Sequence, residues 1–141
     1  MKRNAFNMIE LIFVIIILGI LSTVTVTRIG SMTERAKVAK LKSFVGTLNR
    51  SVGPAIWFSS INNNHSGSIV SPDYTTNINN YIELIPDYTS GPSLTNCNST
   101  GDGIFLSYSY SVNYEIHCTD GNQTTSPAFK LYNQTDSIYV E

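Results

Sequence analysis

The side chains that could do acid–base or metal chemistry in this 141-residue chain are few and lie far apart in the sequence. His65 lies in a polar loop and His117 on the polar side of a predicted strand, so we expect both at the surface. Asp102, Asp120 and Asp136 each precede Gly or Ser, a context in which aspartate usually bonds to nearby backbone in a turn. The sequence therefore predicts no catalytic site, no enzyme activity and no cofactor.

A five-residue motif at positions 120–124 has a second possible meaning. Asp120-Gly121-Asn122-Gln123-Thr124 matches the extended acceptor sequence of bacterial N-glycosylation. Because short motifs of this kind arise by chance, we interpret this one as an ordinary polar turn.

Glu10 is the most unusual ionisable residue, because it stands at the leading edge of an apolar run that covers residues 11–21. A short basic segment, residues 1–5, precedes it and ends in a candidate cleavage site at Ala5–Phe6. A secretory signal is cleaved after its apolar run. Cleavage at Ala5–Phe6 would instead leave the run on the mature protein.

This order of basic segment, small residue, Phe, Glu and apolar helix resembles the signal of type IV prepilins and type II secretion pseudopilins. The match covers residues 1 to about 30. The resemblance implies that a prepilin peptidase cuts before Phe6 and methylates the new amino group. It also implies that Glu10 pairs with that amino group on a neighbouring subunit; the alternative is a carboxylate that extends to the lipid headgroups. Ala5 stands where Gly is usual, and Thr27 stands where many major pilins carry Pro.

Major pseudopilins bind calcium near the C-terminus. The resemblance therefore makes Asp120 and Asp136 weak candidates for a calcium site, although the loop that those proteins use is not recognisable in this sequence.

The second half of the apolar segment is poor helix material. Gly19 is followed by serine, threonine and valine at positions 22–27, and β-branched side chains lose rotamer freedom in a helix. We therefore predict a helix that is easily stretched once packed in a filament, and we assign Gly19 to filament assembly together with Phe6 and Glu10.

An apolar stripe at steps of three and four residues predicts that the helix continues beyond this segment. Gly53-Pro54 predicts its end or a kink, because proline removes a helical hydrogen bond. The stripe consists of Ile29, Met32, Ala36, Leu41, Phe44, Val45, Leu48, Val52 and Ile56.

The clearest strand pattern is a period-two alternation of apolar residues at even positions from Ile104 to Cys118. Because the run is longer than a typical strand, we expect two strands with a break near residues 111–113. No glycine supports a tight turn there, and one long bent strand is the alternative. Residues 129–132 and 137–140 predict further strands, and residues 78–85 predict one short helix that stops before Pro86. The antiparallel sheet would cover the apolar stripe of the helix.

Cys97 and Cys118 are the only cysteines. In an exported domain an isolated pair predicts one disulfide, and pilin heads often close a C-terminal region by such a bond. Two thiols without further ligands do not make a zinc site.

The charge pattern argues against nucleic acid as a partner. The helix carries a basic face, but no aromatic residue interleaves with it and the whole chain has a net charge of −1. A solvated face, or a partner for acidic patches on neighbouring subunits, explains it as well.

We therefore expect an α+β fold, in which a long N-terminal helix with a membrane-spanning first half and an amphipathic second half packs on a small antiparallel sheet. The expected parts are a leader (1–5), an assembly helix (6–29), its amphipathic continuation (30–58) and a globular head (59–141). The expected function is that of a structural subunit of a type IV pilus-like filament. The alternatives are a type II secretion pseudopilin and a membrane-tethered module that does not polymerise.

The expected partners follow from the same resemblance. They are other copies or other pilins in a filament, the prepilin peptidase and the inner-membrane assembly platform. The precursor would reside in a bacterial inner membrane with its head in the periplasm, and the mature form in the filament.

Overall fold

The structure is a computed structural model that describes residues 7–140, without the side chains of residues 24–29. Ala5 and Phe6, the predicted cleavage site, lie outside the described residues. Two compact units divide the chain after Lys37. The second unit contains the sheet and is called the head below.

The first helix, α1, comprises Met8–Thr47. Glu10 lies in its first turn, where the helix dipole favours a carboxylate. In the middle of α1 a 3.4 Å contact joins the Lys37 ammonium to the Glu34 carboxylate. Pairs of this kind at the surface add little stability.

The predicted fold class is wrong in its N-terminal element. We expected a long helix whose first half spans a membrane. Among residues 7–140, no helix is both long and apolar enough to do so. The continuous apolar run ends at Leu21, so it is shorter than the roughly 20 residues that a bilayer requires.

The helical chain does not stop at Gly53-Pro54 but changes its winding before it. A π-helical turn, Leu48–Val52, follows α1, and a second helix, α2, comprises Gly53–Asn62 with proline in its first turn. Proline is common in the first turn of a helix because its fixed φ suits that position. The Gly53 N–H donates to the Leu48 carbonyl five residues earlier, which is the π pattern.

Five strands form one antiparallel sheet in sequence order, and the head is therefore α+β. They are β1 (Tyr88–Ser90), β2 (Gly103–Ser109), β3 (Asn113–Thr119), β4 (Ala128–Asn133) and β5 (Ile138–Val140). The predicted break of the long alternating run is confirmed between β2 and β3, and the two C-terminal strands are confirmed as β4 and β5.

A bulge in β2 changes which residues face the core. The register with β3 shifts between Ile104 and Leu106, so that Phe105 is fully buried while Ile104 is 38% exposed. The even-position prediction is therefore wrong for Ile104. An extra residue in one strand of a ladder reverses the alternation beyond it.

The core of the head lies between the helical segment and one face of the sheet. The predicted stripe is confirmed from Leu41 onward, whereas Met32 and Ala36 are exposed. The helical members of the core are Leu41, Phe44, Leu48, Val52 and Ile56, and the sheet members of the core include Phe105, Leu106, Tyr108, Ile116, Phe129 and Leu131.

The segment between α2 and β2 is mostly irregular. It holds a short helix, α3 (Pro72–Thr76), and two single 3₁₀ turns at Ile78–Asn80 and Leu94–Asn96. The predicted helix over residues 78–85 is wrong beyond its first turn. Asparagines at positions 77, 79 and 80 favour turns, because their side chains compete for local backbone groups.

Candidate functional site

Glu10, the residue with the strongest sequence argument for assembly, is exposed near the start of α1. Its backbone N–H donates to the Asn7 carbonyl at 2.9 Å. Its side chain borders an open depression of about 420 Å³ that is also lined by Asn7, Ile9 and Phe13. Among the described residues no ion pair involves Glu10.

The apolar side chains that follow Glu10 are not used by the core of the head. From Met8 to Leu21 the large apolar side chains are between 42% and 80% exposed. Contiguous exposed apolar surface of this kind marks an interaction site in a soluble environment. The apolar surface of this segment is therefore exposed to solvent in the described chain.

Apart from its chain neighbours and the backbone of its own helix, no described heavy atom lies within 4 Å of the position where a Cβ of Gly19 would stand. Close packing within the chain therefore does not require a glycine there. Just after it, the Ser22 hydroxyl donates to the Leu18 carbonyl at 2.7 Å and the Thr23 hydroxyl to the Ile20 carbonyl at 2.8 Å. Bonds of this type compete with the helix ladder and bend helices, and the predicted ease of stretching remains a prediction.

Cys97 and Cys118 form the predicted disulfide. Both are buried, and the bond joins the chain after the second 3₁₀ turn to the end of β3. The adjacent strand requires Gly103, since a Cβ there would lie 1.9 Å from the Asn96 carbonyl oxygen. The disulfide therefore anchors an irregular segment directly to the sheet.

The loop between the disulfide and β2 is organised by side chains. The Asn98 Oδ1 accepts the Gly101 N–H at 2.8 Å and the Thr100 hydroxyl at 3.0 Å. Asp102 in turn accepts from the Thr100 hydroxyl and the Asn98 amide, and these two bonds lower the pKa of its carboxyl group below the usual value. The expected turn role of Asp102 is confirmed.

His117 is the residue that sequence reasoning misplaced. It is only 7% exposed, whereas we expected it at the surface; His65 is exposed as predicted. Its Nε2 lies 3.0 Å from a Glu115 carboxylate oxygen, and its Nδ1 lies 3.3 Å from the Tyr139 hydroxyl. The imidazole also stacks on Tyr132 at 4.7 Å.

The neighbours of His117 come from three adjacent strands. The register pairs Glu115 with Tyr132 and Tyr132 with Tyr139, and it places Lys130 opposite His117. A sequence signal existed, because the face of β3 and β4 opposite the core carries Glu115, His117, Lys130 and Tyr132, but only the register brings these residues together. Two oriented ring nitrogens hold the imidazole in place, and the cluster fixes β5 to the sheet.

The two weak calcium candidates are used otherwise. The Asp120 carboxylate accepts the Ser68 hydroxyl and the Ile69 N–H, both at 2.8 Å, and Asp136 accepts the Asn133 amide at 2.7 Å. Among the described residues no group of three or more His, Cys, Asp or Glu side chains could hold a metal ion. Asp120 instead ties the loop after α2 to the loop after β3.

The predicted cleavage site, the carboxylate predicted to act in assembly and the disulfide thus fall in separate parts of the chain, and the structure describes the last two. Comparison of the chain with protein-family models, with curated proteins and with solved structures found no match.

Proposed function

We propose that this protein is a structural subunit of a type IV pilus-like filament that polymerises through its N-terminal helix after cleavage before Phe6. The observation that carries the proposal is the apolar segment directly after Glu10. Its large side chains are exposed, although the head already has a complete core without them.

The position of Glu10 supports the same proposal. An exposed carboxylate at the leading edge of an apolar surface costs free energy when that surface is covered, unless a cation pairs with it. The methylated amino group of Phe6 on a neighbouring copy is such a cation, and it exists only after cleavage. One pair of this kind selects the axial register, because a shifted subunit leaves the charge unpaired.

The head supports export. A buried disulfide persists in oxidising compartments and is rare in the cytosol. The partners proposed for the chain are accordingly a prepilin peptidase, an inner-membrane assembly platform and further copies of itself.

The test is mass spectrometry of the protein from its natural cells, in the envelope fraction and in the sheared surface fraction. We expect a chain that begins at methylated Phe6 and is enriched in the sheared fraction. Recovery of that chain only in the envelope would favour the secretion pseudopilin. A chain that still begins at Met1 would overturn the proposal.

A pair of substitutions separates assembly from processing. Glu10→Gln keeps the size of the side chain but removes its charge, and we expect a processed chain that no longer enters the sheared fraction. Glu83→Gln is the matched control, because it removes the same charge from an exposed position on the head. Equal amounts of sheared protein from both variants would contradict the role of Glu10.

A further inference from the structure

Five asparagines in the chain stand two residues before Ser or Thr, the minimal acceptor pattern for N-glycosylation. They are Asn49, Asn64, Asn98, Asn122 and Asn133. Of these, Asn122 alone has an acidic residue two positions before it, namely Asp120. The sequence pattern by itself therefore ranks Asn122 first among the five.

The structure ranks the same five asparagines independently, according to whether the side-chain nitrogen of each donates a hydrogen bond within the head. The Nδ2 of Asn49 donates to the Phe129 carbonyl at 2.8 Å, that of Asn98 to Asp102, and that of Asn133 to Asp136 at 2.7 Å. A sugar on any of these three nitrogens would remove a bond that holds the head together. Only Asn64 and Asn122 remain as acceptors that the folded head can tolerate.

The carboxamide of Asn122 is held with its nitrogen outward. Its Oδ1 accepts the N–H groups of Thr124 and Thr125, each at 2.9 Å, and the Thr124 hydroxyl at 3.0 Å. Three donors around one atom identify it as the oxygen, so the other atom of the exposed group is the nitrogen. The hydrogen bonds of the described residues include none from this nitrogen.

The surroundings of Asn122 leave room for a large substituent. Residues 122–125 are all exposed, while the backbone carbonyl of Asn122 is held by the Trp57 indole N–H at 2.7 Å and its N–H by the Thr125 carbonyl at 2.9 Å. The loop is thus fixed by its backbone, and a group on Nδ2 would project into solvent without disturbing it.

We propose that Asn122 carries an N-linked oligosaccharide that is transferred from a polyprenyl diphosphate by an oligosaccharyltransferase recognising Asp120 and Thr124. The Asn122 nitrogen forms a bond to the anomeric carbon of the glycan. The bond from that carbon to the diphosphate oxygen breaks, and its electron pair leaves with the lipid diphosphate. The proton lost from the amide nitrogen goes to a base of the transferase.

The contacts of Asp120 set the timing of the transfer. In the folded head both of its carboxylate oxygens are occupied, by Ser68 and by the N–H groups of Ile69 and Gly121. The transferase therefore recognises Asp120 before the loop after α2 packs against it. When that loop packs, the attached glycan remains in solvent. The proposal requires export of the head but not its polymerisation.

The test is glycopeptide mass spectrometry of the full chain from its natural cells. Reduction followed by cleavage after Glu and Lys yields one peptide, residues 116–130, that contains Asn122 and no other of the five asparagines. We expect this peptide to carry an oligosaccharide that electron-transfer fragmentation places on Asn122. The peptide 131–141, which contains Asn133, is the internal control and stays unmodified.

Three variants complete the test, with the Cys97–Cys118 disulfide as the check on folding. Asn122→Gln and Asp120→Asn abolish the modification, whereas Asn64→Gln leaves it unchanged. An unmodified 116–130 peptide, a glycan on a threonine of that peptide, or a glycan retained in Asn122→Gln would overturn the assignment. A glycan retained at Asn122 in Asp120→Asn would overturn the recognition of Asp120.

Discussion

Asn49 provides the sharpest test of how the helical segment is attached to the sheet. Its carboxamide donates to the Phe129 carbonyl and accepts the Phe129 N–H, both at 2.8 Å. Among the described residues, β5 pairs with residues 131–133 of β4, and the Asn49 side chain takes the place of a strand partner for Phe129. The substitution Asn49→Ala removes both bonds at once.

The expected loss follows from these two bonds. A hydrogen bond contributes a net 0.5–1.5 kcal/mol, roughly, to stability. Asn49 is itself exposed, so water can partly replace it, and we expect a loss of about 1–2 kcal/mol in the free energy of unfolding. In a domain of this size each kcal/mol lowers Tm by about 4–8 °C.

The assay is urea unfolding of a chain that begins at residue 30, because the core of the head starts after Lys37. Asn62→Ala is the matched control, since it makes the same exchange at an exposed helical position. Amide hydrogen exchange supplies a second readout, in which the Phe129 N–H exchanges faster in Asn49→Ala. Equal unfolding free energies in the two variants, with unchanged Phe129 exchange, would refute the reasoning.

Three further predictions concern the head. Replacing Cys97 and Cys118 together by serine lowers the free energy of unfolding by about 3 kcal/mol in the chain-entropy account of a loop of this length, which urea unfolding under non-reducing conditions measures. Burial raises the pKa of Tyr108, so the wild-type head loses stability as the pH rises above about 10, where tyrosine ionises in the unfolded chain. Tyr108→Phe weakens this alkaline loss in pH-dependent thermal unfolding, whereas Tyr81→Phe at a partly exposed position does not. The lowered pKa of Asp102 adds stability above the usual aspartate pKa that is lost as the pH falls through the folded value, so acid titration of Asp102→Asn shows a smaller decrease.

The sheet could be predicted from the sequence wherever a strict period of two was present. The alternation located β2 and β3, and the length of the run implied the break between them. It did not reveal the bulge at Ile104, because a bulge depends on the register with the partner strand. Ile104 and Phe105 are both apolar, so the sequence allows either of them to face the core. Phe105 was therefore missed as a core residue.

The helical stripe could be predicted from its regular spacing, but its predicted burial was wrong for the N-terminal half. Side chains at steps of three and four become buried only where another element covers them, and the sheet covers the helix from Leu41 onward. Met32 has the same spacing but belongs to the first compact unit, and it is 68% exposed. Periodicity reports which face is apolar, but it does not report what covers that face.

The candidate site likewise has one part that the sequence predicts and one part that it does not. The disulfide was predictable because two cysteines allow one pairing. The burial of His117 was not, because it results from Glu115, Tyr132 and Tyr139, whose side chains meet only through the pairing of three strands. A polar residue in an alternating strand can be buried on the second face when long neighbouring side chains cover it.

The sequence explains best those residues that contact other residues of the same chain. The N-terminal segment is informative because it contrasts with them. Its apolar side chains are exposed, and no ion pair of the described residues involves Glu10. A folded chain gains nothing from a row of uncovered isoleucines and a carboxylate beside them, because exposed apolar surface promotes uncontrolled association. A polymer gains both cohesion and register from the same residues, since the apolar side chains bury one another and the carboxylate penalises a shifted subunit. The exposure of these apolar side chains and of Glu10 is thus the physical argument for a role between chains. The Glu10→Gln variant tests that argument.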